Sequence, residues 1–127
     1  MGLFPKLFGQ KYDEICAPVS GQAVPVTEVP DPTFSSGMLG NGVAVIPSEG
    51  KICAPCDGTA DMMFHAQNGQ KVKKGDLLIE VDLDVLKEAG LNPITPVLIC
   101  NSDDFSKFET DVGHAVQAGD AVIKLAK

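Results

Sequence analysis

The chain has no stretch of about 18 consecutive apolar residues, which a membrane-spanning helix needs, and no N-terminal apolar run long enough for a secretory signal. A basic stripe is missing as well. The formal net charge is −7 over 127 residues, and the one cationic cluster, Lys71, Lys73 and Lys74, reads as a solvated turn. Nucleic acid and anionic lipid are therefore disfavoured as general partners, because little is available to neutralise phosphates. Low-complexity segments are absent, and histidine occurs only as His65 and His114. These absences lead to the expectation of a soluble, cytoplasmic chain. Its four cysteines would then stay reduced, which argues against a disulfide framework. The opening Met1-Gly2-Leu3-Phe4-Pro5-Lys6-Leu7-Phe8 is expected to cap the fold or to be loosely ordered within a segment 1–12, and Lys6 breaks the myristoylation pattern.

What is present is a small set of phrases used twice. Ile15-Cys16-Ala17-Pro18-Val19-Ser20-Gly21 returns as Ile52-Cys53-Ala54-Pro55-Cys56-Asp57-Gly58. Gly69-Gln70-Lys71-Val72-Lys73-Lys74-Gly75-Asp76 returns as Gly113-His114-Ala115-Val116-Gln117-Ala118-Gly119-Asp120. In the first phrase a strand runs into proline, which fixes φ and gives no donor, and then into a glycine able to take positive φ. In the second, an inward valine precedes a Gly-Asp turn and an alternating strand, 77–81 in one copy and 121–125 in the other. With 44% apolar residues, thirteen glycines and nine prolines, the chain reads as one all-β domain with a single core and little helix.

Further strands are expected at 14–18, 22–26, 43–46, 51–54 and, buried, 96–101. Val29-Pro30-Asp31-Pro32 is expected to break regular structure. Residues 83–89 form a short helix with Asp82 or Asp84 as N-cap and Gly90 as C-cap, and Ser102 is placed to cap one turn carrying Phe105 and Phe108.

In this order Met1-Gly2-Leu3-Phe4, the Ala-Pro-x-x-Gly pair, Val29-Pro30-Asp31 followed by Phe34, and Gly40-Asn41-Gly42-Val43-Ala44-Val45-Ile46-Pro47 form a recognisable series. Gly75-Asp76 through Asp82-Leu83 and Thr95-Pro96-Val97-Leu98-Ile99-Cys100-Asn101 continue it. Together they resemble the glucose-class enzyme IIA domain of the bacterial sugar phosphotransferase system over almost the whole chain. The resemblance implies an all-β, duplicated hybrid-motif β-sandwich of barrel-sandwich type with one or two short helices, as a single domain over 1–127. It also implies no cofactor and a role in passing a phosphoryl group from the histidine carrier HPr to a IIB domain. In that family two histidines lie side by side on neighbouring strands, one of them the acceptor.

The chain departs from the family at that place. Neither the Thr-x-His-Ala phrase nor the His-hydrophobic-Gly-hydrophobic-Asp-Thr phrase occurs, and Gly58-Thr59-Ala60-Asp61-Met62-Met63-Phe64 runs directly into His65-Ala66-Gln67-Asn68-Gly69. The block holding both active-site strands is expected to be missing. A histidine acceptor needs a neutral ring nitrogen aimed at phosphorus, a group fixing its tautomer, and donors for the transferring oxygens. His65 is the one catalytic candidate, while His114 is expected to be an exposed loop residue. Whether the chain counts as a phosphotransferase component is thus left open. Function then falls to protein binding, with Val29, Pro30, Asp31, Phe34, Met38 and Leu39 as candidate partner face and a homodimer expected through strand edges bared by the missing block.

Two other classes remain in view. Cys53-Ala54-Pro55-Cys56 has the spacing of a thiol or zinc motif, and Cys16 would join it if the copies share a pseudo-twofold axis. A strand-and-turn setting favours structural thiols instead. Residues 52–83 also look like half of a biotinyl or lipoyl carrier, but no lysine sits between methionines at a hairpin tip.

Overall fold

The computed structural model describes residues 13–60 and 70–126. The strands are β1 (Asp13–Cys16), β2 (Gly21–Pro25), β3 (Asn41–Pro47), β4 (Lys51–Cys53), β5 (Gly58–Ala60), β6 (Gln70–Val72), β7 (Leu77–Glu80), β8 (Thr95–Ile99), β9 (Lys107–Thr110), β10 (His114–Val116) and β11 (Ala121–Ala126). Two short helices, α1 (Pro32–Ser35) and α2 (Leu83–Glu88), complete them. The strands pair antiparallel in the orders β1-β11-β9, β10-β2-β3-β8, β4-β7 and β5-β6. Ala17, Val19, Ala23, Val43, Val45, Val122 and Ile123 are fully buried between the two larger sheets.

The repeated phrases meet across a pseudo-twofold axis. The Cys16 N–H donates to Pro55 O at 2.9 Å and the Cys53 N–H to Pro18 O at 2.6 Å. This is a short antiparallel ladder centred on Ala17 and Ala54, in which each proline accepts and has no N–H to return. Around it three further contacts occur in both copies. The Ala17 N–H donates to Asp120 O (2.7 Å) and the Ala54 N–H to Asp76 O (2.8 Å). Asp120 Oδ2 accepts from the Gln117 N–H and Asp76 Oδ2 from the Lys73 N–H, both at 2.9 Å. Ser20 Oγ accepts from the Ala118 N–H at 3.0 Å and Asp57 Oδ1 from the Lys74 N–H at 2.8 Å. Even the register slips recur, at Ile15/Cys16 and Ile52/Cys53. The turn glycines Gly75 and Gly119 take φ of 94° and 98°, where a Cβ would be strained.

Several expectations are corrected. Gly21 does not have positive φ; it is needed because a methyl there would overlap Ile46 O and lie 2.8 Å from Ile46 C and Pro47 Cα. The break expected at 29–32 falls at 29–31, and the segment also starts a helix: Asp31 Oδ1 accepts from the Thr33 N–H at 3.0 Å and caps α1, with Pro32 in its first turn. The strand expected at 96–101 is β8, a sheet edge in which Val97 alone is buried. Ser102 caps no helix by its side chain; its Oγ accepts from the Asn41 N–H at 3.2 Å and ties the start of β3 to the turn after β8. Asp82, not Asp84, caps α2.

The two halves differ in how far their sheets extend: β11 lies between β1 and β9, whereas its pseudo-equivalent β7 pairs with β4 alone among the described residues. β2 is flanked by β10 and β3, whereas its pseudo-equivalent β5 pairs with β6 alone among the described residues. A methyl added at Gly58, the counterpart of Gly21, would meet nothing within 4 Å among the described residues.

Candidate functional site

The expected partner face divides into a buried support and an exposed ledge. A 3₁₀ turn (Val26–Glu28) follows β2 and delivers Val29 inward against Val24 and Ala44, with Val26, Phe34 and Ile94 packed around them. Pro30 and Asp31 lie exposed at the rim, and α1 leads to Gly37 and Gly40, both at positive φ. Between them Met38 is 77% and Leu39 40% exposed, which makes an apolar pair held out from the sheet by a small, well-seated cluster. Of the six residues, Val29 belongs to the core and Phe34 is half-buried. The remaining four can touch a partner without rearrangement.

His65 lies outside the described residues, in the connection 61–69 between β5 and β6. His114 was expected in an exposed loop, but it begins β10 and is half-buried, opposite Ala23. Its Nδ1 lies 3.0 Å from Ala115 O and its Nε2 2.8 Å from Asp111 Oδ1. Both partners are acceptors, so the ring serves both best as an imidazolium. The Ala115 carbonyl, followed by the Asp111 carboxylate, accordingly pushes its pKa above the usual histidine value. Both ring nitrogens are engaged by neighbouring oxygens of the chain, so His114 does not present a free nitrogen as an acceptor needs. The Asp111 partner was not foreseen. Its i, i+3 spacing across Gly113 is the only signal for it in the sequence, and Asp111 Oδ2 is buried without a hydrogen bond.

The four cysteines are free thiols. Cys16 is buried, Cys53 and Cys56 are half-buried, and Cys100 is exposed. No group of three or more His, Cys, Asp or Glu suited to a metal ion occurs among the described residues, so Cys16, Cys53 and Cys56 do not converge as a zinc site. Nor is any described helix long and apolar enough to cross a membrane.

Fold and site thus define a duplicated β-sandwich with an apolar ledge beside α1 and no assembled metal centre among the described residues. Residues 13–68 and 64–105 match the family model for the phosphoenolpyruvate-dependent sugar phosphotransferase system, EIIA 1. The "PTS system glucose-specific EIIA component" of Haemophilus influenzae is 34% identical over 166 positions that include all of both chains, although this chain has only 127 residues. The "PTS system beta-glucoside-specific EIIBCA component" of Halalkalibacterium halodurans is 30% identical over 153 positions, covering 94% of this chain and 24% of that protein. Among solved structures, the glucose permease IIA from Mycoplasma capricolum superposes with a TM-score of 0.74 at 23% identity, covering 94% of this chain and 99% of that one. The chain belongs to the EIIA family of the sugar phosphotransferase system and is an EIIA-like domain of sugar uptake. The carrier-module and zinc-module alternatives are not favoured.

Proposed function

We propose that this EIIA-type domain, a single unit over residues 1–127, has lost the phosphocarrier step and acts in the cytoplasm by binding other components of the sugar uptake system. The carrying observation is the unequal duplication. Each copy begins with the same strand, turn and strand, but β2 pairs with both β10 and β3 while β5 pairs with β6 alone among the described residues. The strand that would stand to β5 as β3 stands to β2 has no counterpart among the described residues. Open space at Gly58 supports this reading, as do the surplus of alignment positions over residues and the family match in two stretches that meet at 64–68. The block expected to hold two adjacent histidines falls at that junction. His65 then has no second histidine beside it in sequence, and His114 is committed to Asp111.

The ledge of Pro30, Asp31, Met38 and Leu39, backed by Phe34 and Val29, is the surface proposed to meet an HPr-like carrier or a IIB domain. The EIIBCA relative, in which an EIIA segment shares one chain with others, is consistent with partners of that kind. The test is incubation with phosphoenolpyruvate, enzyme I and HPr, followed by intact mass measurement in alkaline buffer that preserves phosphohistidine. No adduct is expected. A stoichiometric phosphoryl adduct that disappears in His65→Ala would restore the phosphocarrier.

A further inference from the structure

We propose that Cys16 and Cys56 form a reversible disulfide across the pseudo-twofold junction, at the one of two equivalent positions that carries two thiols. The position is defined by the ladder on the axis. Cys16 stands opposite Pro55, whose carbonyl accepts its N–H at 2.9 Å, and Cys56 is the next residue. A hydrogen-bonded antiparallel pair holds its Cα atoms about 5.5 Å apart. Cys56 follows Pro55 by one residue, about 3.8 Å between Cα atoms, at a bend over 55–57. Burial raises the Cys16 pKa, and the Cys56 thiol is near enough to add to that rise. The proposed bond requires the pair to meet the roughly 4.4–6.8 Å Cα separation that a disulfide spans.

The equivalent place on the other side of the axis is a control supplied by the molecule. There Cys53 stands opposite Pro18, and the next residue is Val19, fully buried in the core. Lys74 on the first side is replaced by Ala118 on the second, as the matching hydrogen bonds to Asp57 and Ser20 establish. One copy therefore has a thiol at the first place and a buried valine at the second. The other has two thiols, with Lys74 lining a hollow of about 390 Å³ beside Cys56, Asp57, Glu14 and Ile15.

The two sulfurs have different roles. Cys16 is 2% exposed, and burial pushes its thiol up while the Lys74 ammonium pulls it back down. Cys56 is half-exposed in the hollow and is the sulfur an oxidant meets first. With a peroxide as oxidant, the Cys56 thiolate attacks one peroxide oxygen, the O–O bond breaks, and hydroxide leaves to give a sulfenic acid. The Cys16 sulfur then attacks the Cys56 sulfur, the S–O bond breaks, and the hydroxyl leaves with the Cys16 proton as water. Two thiols are oxidised and one peroxide is reduced to two waters. A dithiol reductant reverses the bond through a mixed disulfide. The product would pin β1 to the turn after β4 and so lock the two copies together.

The experiment is graded hydrogen peroxide treatment of the full chain, with intact mass and non-reduced peptide mapping. Wild type and Cys53→Ser are expected to lose the mass of two hydrogens and to link the peptide containing Cys16 to that containing Cys56, with reversal by dithiothreitol. Cys56→Val installs the residue that the other copy already carries at position 19, so the fold is retained by circular dichroism while the link is lost. A link that persists in Cys56→Val, a Cys53–Cys56 bond, or direct passage of Cys56 to sulfinic acid in the wild type would each overturn the proposal.

Discussion

Adding one methyl group to each of two equivalent glycines measures whether β5 lacks a neighbour. Gly21→Ala places a Cβ against the backbone of β3, 2.8 Å from Ile46 C and Pro47 Cα, and backbone cannot step aside as a flexible side chain would. The Gly21↔Pro47 register must then open at the point where β2 enters the sheet. Overpacking of this kind costs about 1–3 kcal/mol. Gly58→Ala meets nothing within 4 Å among the described residues, outside the positive-φ region, so the restriction it places on the unfolded chain is expected to dominate, with a gain of about 0.4–1 kcal/mol.

With one tyrosine and no tryptophan, urea unfolding is best followed by far-ultraviolet circular dichroism. At an m-value of about 2 kcal/mol per molar urea, Gly21→Ala should lower the midpoint by roughly 0.5–1.5 M, while Gly58→Ala should leave it level or raise it slightly. Equal losses at the two positions would mean that a strand does cover β5, and the proposed loss of the acceptor strands would fall with it.

Other predictions concern the remaining site features. Because the folded pKa of His114 is raised, its contribution to stability is full below about pH 6.5 and is lost as pH rises through the folded value; an NMR titration should show a lower midpoint in Asp111→Asn, and an unchanged one refutes the pairing. Asp82→Ala should cost about 0.5–2 kcal/mol as the loss of the α2 cap, and Asp84→Ala less than about 0.5; equal effects would remove that distinction. The purified protein should carry no stoichiometric zinc by elemental analysis, and a metal whose chelation unfolds the chain would reverse that expectation. Sedimentation velocity should detect a dimer at micromolar concentration through the edge of β5 or β8 that has no neighbour among the described residues; a monomer at every dilution would show that the edges are satisfied within the chain.

The turns were the most legible part of the fold. Ala-Pro and Gly-Asp phrases carry their geometry in local chemistry: a missing N–H, a fixed φ, a glycine at positive φ and an aspartate reaching back three residues. Partners far apart in sequence were less legible. Ser102 resembles a helix cap in sequence, yet it accepts from Asn41, because the end of β8 returns beside the start of β3. β9 went unread since Lys107 and Glu109 flank Phe108 in too short an alternation to stand out, and only pairing with β11 reveals it as a strand. The His114–Asp111 pair was hidden for a similar reason, since the intervening Gly113 takes φ of 94° and folds the carboxylate back onto the ring.

For the candidate site, the two copies served as references for each other. A lone Cys-x-x-Cys phrase does not say whether its sulfurs face metal, each other or the core. Laid over a copy that reads Cys-Ala-Pro-Val in the same backbone, it separates into a structural position, 16 or 53, and an added one, 56. The same comparison makes the pairing of β5, with one neighbour among the described residues, informative. An isolated two-stranded pair is an ordinary feature at the end of a sandwich, but beside a pseudo-equivalent β2 that is covered on both sides, it marks where the second copy stops matching the first. In the proposed reading, the block that would carry a pair of rings on neighbouring strands falls at that junction between β5 and β6.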